Sequence, residues 1–144
     1  MNVRYLLLAT CLGFTGALQA QDAPQARHEL PFADCMRTDR ISNYAEVDDR
    51  TVIVANGPNF YRITTDVACP RKSLGGGIHF KGSASVKAIG AMRICGGIDE
   101  QIVRRDDPPC QIQTVEKIDK KTYQSLEKNA KKKGSGAEPN GMVR

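Results

Sequence analysis

Three pairs of adjacent acids, Asp48-Asp49, Asp99-Glu100 and Asp106-Asp107, are the residues of this sequence best suited by type to acid–base chemistry. Hydrolysis by paired carboxylates needs two groups facing each other across a substrate, with their pKa values pushed apart. Neighbours on a strand point to opposite faces, and neighbours in a turn both meet water. Exposed turn residues are therefore the plainer reading of all three pairs. Calcium gains nothing from the spacing, because no EF-hand pattern is present. His79 could act as a general base, but no Ser or Cys nucleophile stands in a motif, so a surface or half-buried strand histidine is expected. Gly75-Gly76-Gly77 could cradle an anion with backbone N–H groups. The Lys-Ser/Thr of a phosphate loop is missing, which leaves a flexible connector. Arg40 and Arg50, beside Asp39 and Asp49, are candidates for carboxylate recognition, with cross-strand ion pairing as the plain alternative. No residue earns a catalytic, cofactor-binding or metal role on these patterns, and no cofactor is implied.

The cysteines carry more information. Met1 to Ala20 has the layout of a secretory signal: Arg4 as the positive region, an apolar run from Tyr5 to Ala17, and Leu18-Gln19-Ala20 as a cleavage site. The apolar run is shorter than the roughly 20 residues that span a bilayer. A periplasmic or secreted location follows, with lipidation at Cys11 (in Leu8-Ala9-Thr10-Cys11) as a minor alternative. Cleavage after Ala20 removes Cys11 and leaves four cysteines, Cys35, Cys69, Cys95 and Cys110. An even number in an exported chain reads as a disulfide framework, and no Cys-x-x-Cys or histidine spacing argues for zinc. Of the possible connectivities the sequential one is expected, Cys35–Cys69 and Cys95–Cys110, because each pair then encloses consecutive strands.

Charge is uneven along the chain. Residues 21–115 hold 12 basic and 12 acidic residues, whereas residues 116–144 hold 8 basic and 4 acidic. Lys117, Lys120, Lys121, Lys128, Lys131, Lys132 and Lys133 form the one concentrated feature. Such a segment can sit on an anionic surface, although a solvated helix face with a soluble tail is the plainer reading. No aromatic stacking residues accompany it, which disfavours nucleic acid.

The elements that position these residues read as β-structure. Asn56-Gly57 lies between two apolar, β-branched and aromatic runs, a strong hairpin signal. The first strand is expected over Asn43–Val47, the second over Arg50–Ala55 and the third over Phe60–Thr65. Pro58 favours a four-residue loop, Asn56 to Asn59, over a two-residue turn. Val52-Ile53-Val54 is apolar on both faces, so the second strand should be internal. Further strands are expected at Ile78–Phe80, at Val86–Cys95 with a break near Gly90, at Glu100–Arg104 and at Cys110–Ile118. The last has the weakest apolar face and reads as an edge, and Asp106-Asp107-Pro108-Pro109 reads as a stop before it. Residues 35–118 hold 17 Ile plus Val against one Leu, which favours sheet. Asp119 can cap a helix from Lys120 to about Lys131, with Tyr123, Leu126 and Ala130 as its apolar stripe.

The expected fold is all-β: a small disulfide-stapled barrel or sandwich of six to seven short antiparallel strands with a short C-terminal helix. A signal peptide (1–20), a flexible lead-in (21–31, with Phe32 the first anchored residue), a β-domain with its helix (32–128) and a Lys-rich disordered tail (129–144) complete the organisation.

Cys35-Met36-Arg37-Thr38-Asp39-Arg40-Ile41 and Val47-Asp48-Asp49-Arg50-Thr51 resemble an uncharacterised family of small exported bacterial proteins, a domain of unknown function. Arg93-Ile94-Cys95-Gly96-Gly97-Ile98-Asp99 and Pro109-Cys110-Gln111-Ile112 fit the same pattern. The resemblance spans Pro31 to Ile118 and implies export and the cysteine pattern, with no activity to carry over. The expected function is a non-enzymatic binding or envelope-associated module of unknown ligand, whose partner is an anionic envelope surface or another exported protein. The alternatives are a small inhibitor of an envelope or foreign enzyme, presenting Asn56 to Asn59 or Arg71 to Gly77, and a hydrolase with an unrecognised site. Intact-mass measurement of the exported protein should give Gln21 as its first residue; a chain beginning at a lipidated Cys11 would overturn cleavage after Ala20.

Overall fold

The structure is a computed structural model that describes residues 27–69, 77–104, 107–135 and 142–143. Met1 to Ala20 and most of the Arg71–Gly77 loop lie outside the described residues. In chain order the elements are β1 (Met36–Arg37), β2 (Ile41–Glu46), β3 (Thr51–Asn56), β4 (Asn59–Thr65), β5 (Ile78–Lys81), α1 (Ala84–Ala88), β6 (Arg93–Ile94), β7 (Gln101–Arg104), β8 (Asp107–Ile118), α2 (Lys120–Lys128), β9 (Lys132–Ser135) and β10 (Met142–Val143). Single 3-10 turns at Phe32–Asp34 and Thr38–Arg40 flank β1.

Six antiparallel strands, in the order β5-β7-β8-β4-β3-β2, make a curled half-barrel, and β10 and β9 extend its two edges. The all-β expectation with a C-terminal helix holds. β1 and β6 form a separate two-stranded ribbon. β3 is internal, as its doubly apolar run requires: Val52 and Val54 enter the main core with Tyr44, Tyr61, Ile63, Ile112 and Val115. Ile53 and Ala55 point the other way, under α2, where they meet Tyr123 and the partly buried Leu126 and Ala130. Asp119 accepts from the N–H groups of Lys121 and Thr122, so the helix starts where its cap demands. Burial pushes the Tyr123 hydroxyl up to about 12.

Several expectations are corrected. Asn56 pairs with Asn59 across a two-residue turn, Gly57-Pro58, rather than a four-residue loop. Gly57 takes φ +61°, the left-handed value that a type II′ turn demands at its first central position. Pro58 occupies the second position, where the ladder needs no N–H. Val86–Cys95 is not an interrupted strand: Ser83 accepts from Val86 N and caps α1, which ends before Gly90, and only Arg93–Ile94 is extended. β8 is not an edge strand. It begins at Asp107, runs through Pro108 and Pro109, and lies between β7 and β4. Its thin apolar pattern misled because α2 leaves part of one face open. Phe32 is exposed, while the chain is anchored from Arg27, which donates to Ile112 O (2.9 Å) and pairs with Asp66. The segment expected to be a disordered tail includes β9, which pairs with β2, and β10, which pairs with β5.

All four cysteines are oxidised, with the connectivity Cys35–Cys95 and Cys69–Cys110 in place of the sequential one. Strand pairing explains both. Met36 faces Ile94 and Arg37 faces Arg93, so the preceding Cys35 meets the following Cys95. Thr65 faces Ile112, so the chain leaving β4 runs beside the start of β8 and brings Cys69 to Cys110. The bridges close separations of 60 and 41 residues. In the chain-entropy account each contributes about 4 kcal/mol, a large share of the roughly 5–15 kcal/mol typical of a domain. Peptide mapping without reduction should recover the two peptides joined as Cys35–Cys95 and Cys69–Cys110; a Cys35–Cys69 peptide would contradict the fold.

Candidate functional site

The β1–β6 ribbon stands beside α1 and the end of β5, and a cleft opens between them. Thr38 fixes the wall of that cleft: its N–H and its hydroxyl both reach Met92 O, at 2.9 and 3.3 Å. Beneath it Val86, Cys35 and Cys95 form a small buried cluster with Leu30 and Ala91 packed on it. The cleft has two adjoining hollows. One, of about 340 Å³, is lined by Phe32, Arg37, Asp39, Met92 and Arg93 among others. The other, of about 200 Å³, is lined by Thr38, His79, Lys81, Lys87 and the same Met92 and Arg93.

The charges of this cleft are unbalanced. Arg37 donates to Asp39 through Nε (3.1 Å) and Nη2 (2.6 Å), and this hydrogen-bonded partner holds the Asp39 carboxyl below the usual carboxylate range. Arg93 has no acidic partner among the described residues: its guanidinium lies 4.5 Å from the Phe32 ring centre and Nη1 donates to Phe32 O. The Lys81 ammonium donates to the neutral Gln101 amide, at 3.4 Å, and meets no acid among the described residues. The Lys87 side chain is exposed and makes no hydrogen bond or ion pair with the described residues. His79 has a buried Nδ1 without a hydrogen-bond partner among the described residues. Three cations without acidic partners among the described residues, beside exposed apolar surface, suit the binding of an anionic group. No group of three or more His, Cys, Asp or Glu among the described residues could hold a metal ion.

A second polar feature holds the cleft in place. Asp99 and Glu100 are not both exposed turn acids: Asp99 is exposed, but Glu100 is 0% exposed. Its carboxylate accepts from Cys95 N (2.9 Å) and Gly96 N (2.6 Å). Gly96 sits at φ +97°, a backbone conformation that any side chain there would strain. Burial raises the Glu100 pKa; the backbone N–H groups pull the other way, and nearby Glu29 adds to the rise. The role of Glu100 is to close the turn that carries Cys95.

The other expected candidates are dispersed. Asp48 accepts from Arg50 N and Thr51 N and shapes the β2–β3 turn, as a turn acid should. Asp49 pairs with Lys131 at 3.0 Å. Arg50 is spent on the main-chain carbonyls of Thr65 and Asp66, and Asp39 binds Arg37 rather than Arg40. Lys117 pairs with Asp34 at 3.3 Å. Lys120, Lys121 and Lys128 are exposed on α2, and Lys132 and Lys133 lie in β9. Lys117, Lys120, Lys121, Lys128 and Lys131 do not line the cleft. Arg37, Lys81, Lys87 and Arg93 were not singled out in the sequence, because each is an ordinary isolated charge until β1 pairs with β6.

A family model described as a family of unknown function (DUF6491) matches residues 1–134, a wider span than the Pro31–Ile118 resemblance and one that takes in all of the lysines. No curated protein and no solved structure matches the chain.

Removing the Glu100 carboxylate should strand buried N–H groups. Glu100→Ala is expected to lower stability by about 3 kcal/mol, read from the urea midpoint. With the pKa raised on folding, the native state holds the extra proton in the window just above the ordinary carboxylate range. Stability should therefore fall as pH rises through that window, and Glu100→Gln should lack this fall. An identical pH profile in the two proteins would refute it.

Proposed function

From a chain that belongs to this family of unknown function, we propose a non-enzymatic binding module, exported with cleavage after Ala20 to the periplasm or the medium, that recognises an anionic group in the cleft beside the β1–β6 ribbon. The observation that carries this reading is the convergence of Lys81, Lys87 and Arg93, without acidic partners among the described residues, on two adjoining hollows. The two disulfides support an oxidising environment outside the cytoplasm. No helix among the described residues is long and apolar enough to cross a membrane. The inhibitor reading draws less support, since Asn56–Asn59 is a tight turn whose Asn56 side chain is buried and donates to Arg37 O. The exposed lysines of α2 add a diffuse attraction that salt screens over about 8 Å.

Titration of the isotopically labelled, oxidised protein with inorganic phosphate at low salt tests the reading. Amide shifts should concentrate on Lys81 and on Lys87 to Arg93. Shifts confined to α2, or none at all, would sink it.

A further inference from the structure

Building on the binding role of the cleft, we propose that its partner is the surface of an anionic lipid bilayer, entered shallowly by Phe32, Ile89 and Met92 and held by Lys81, Lys87 and Arg93. Apolar side chains exposed singly are ordinary, whereas several of them gathered beside a cleft mark an interaction surface. Phe32 is 48% exposed, Ile89 67% and Met92 44%. All three sit at turns or element ends: Phe32 opens a 3-10 turn, Ile89 is the C-cap of α1, and Met92 precedes β6. They protrude from a rim rather than line a deep pocket. Ile89 belongs to neither hollow, so a small ligand seated in the cleft would leave it bare. A fluid lipid interface accepts protruding tips without a matching shape.

Charge selects the kind of surface. Among the described residues the two other exposed large hydrophobics are Val67, beside the Arg27–Asp66 ion pair, and Ile98, beside Asp99, whose charge an anionic interface would repel. Among the described residues the rim at the cleft is where apolar tips join cations that lack acidic partners, the combination that holds an amphipathic surface on anionic lipid. The hollows behind the tips have room for headgroup phosphates, within reach of Arg93 and Lys87. The tips are presented rigidly. The Cys35–Cys95 bridge lies directly behind them, and Val86 anchors α1 in the same buried cluster. Little ordering entropy then remains to be lost on contact.

The test is co-sedimentation of the oxidised full chain with phosphatidylcholine vesicles, with and without phosphatidylglycerol, alongside the phosphate titration and a thermal melt of each variant. Glycerol phosphate serves as a soluble headgroup competitor. Binding should require phosphatidylglycerol, weaken steeply with salt, and resist glycerol phosphate, which lacks the acyl surface. The variant Ile89→Ser should lose about fivefold or more in vesicle affinity while keeping its melting temperature and its phosphate shifts, since Ile89 lines neither hollow; Lys87→Glu should lose both kinds of binding. Phosphate shifts in the cleft without vesicle binding would overturn the lipid partner and leave the anion-binding role standing. Absence of both would remove the two together. Vesicle binding abolished by Lys120→Glu and Lys128→Glu but untouched by Ile89→Ser would move the contact to α2 and overturn the proposal.

Discussion

The buried carboxylate of Glu100 is the constraint on which the cleft side of the molecule depends. A charged group taken out of water is costly unless its oxygens are met by donors. Here the donors are the backbone N–H groups of the turn that follows β6. The same turn holds Cys95, and Cys95 holds Cys35. Leu30 N donates to Cys95 O, so the N-terminal segment joins the same knot. β1 then pairs with β6 and sets Arg37 opposite Arg93. One polar interaction, one covalent bond and one short ribbon thus fix the wall of the cleft.

The sheet depends on a different principle. β3 is apolar in both directions, so the sheet must be covered on both faces. The inner side of the curl is filled by the main cluster, and α2 covers the outer side over β3 and β4. Phe60 and Tyr123 meet there with ring centres 4.8 Å apart. At the far end of β4 the second bridge, Cys69–Cys110, locks the chain to β8. Each half of the molecule is therefore tied by a bond between segments distant in sequence.

The cleft follows from where these ties end. A ribbon of two residues per strand cannot bury its own flanks. Arg93 lies against Phe32, and Met92 is left half in water. α1, only five residues long, contributes Lys87 and Ile89 at its end. The result is a rim where exposed apolar groups stand beside cations, over the buried cluster of Val86, Cys35 and Cys95.

Local signals determined much of this protein. Alternation and β-branched content gave the sheet, the doubly apolar Val52-Ile53-Val54 gave an internal strand, and Asp119 with the stripe Tyr123, Leu126 and Ala130 gave the helix and its buried face. Those features were legible because they depend on neighbours within a few residues. The disulfide connectivity was not, since it follows from the pairing of β1 with β6 and of β4 with β8 across long stretches of chain. β8 looked like an edge because its apolar pattern is thin, yet its position between β7 and β4 is decided by backbone pairing, which side-chain pattern does not record. The run Val86, Ile89, Met92, Ile94 reads as a strand by its apolar content, whereas the chain forms a short helix capped by Ser83. Glu100 was indistinguishable from its exposed neighbour Asp99 in sequence; only the turn that wraps N–H groups around it makes burial affordable. The cleft was illegible for the same reason. Phe32, Lys81, Lys87 and Arg93 have no shared spacing, and tertiary pairing alone brings them to one surface.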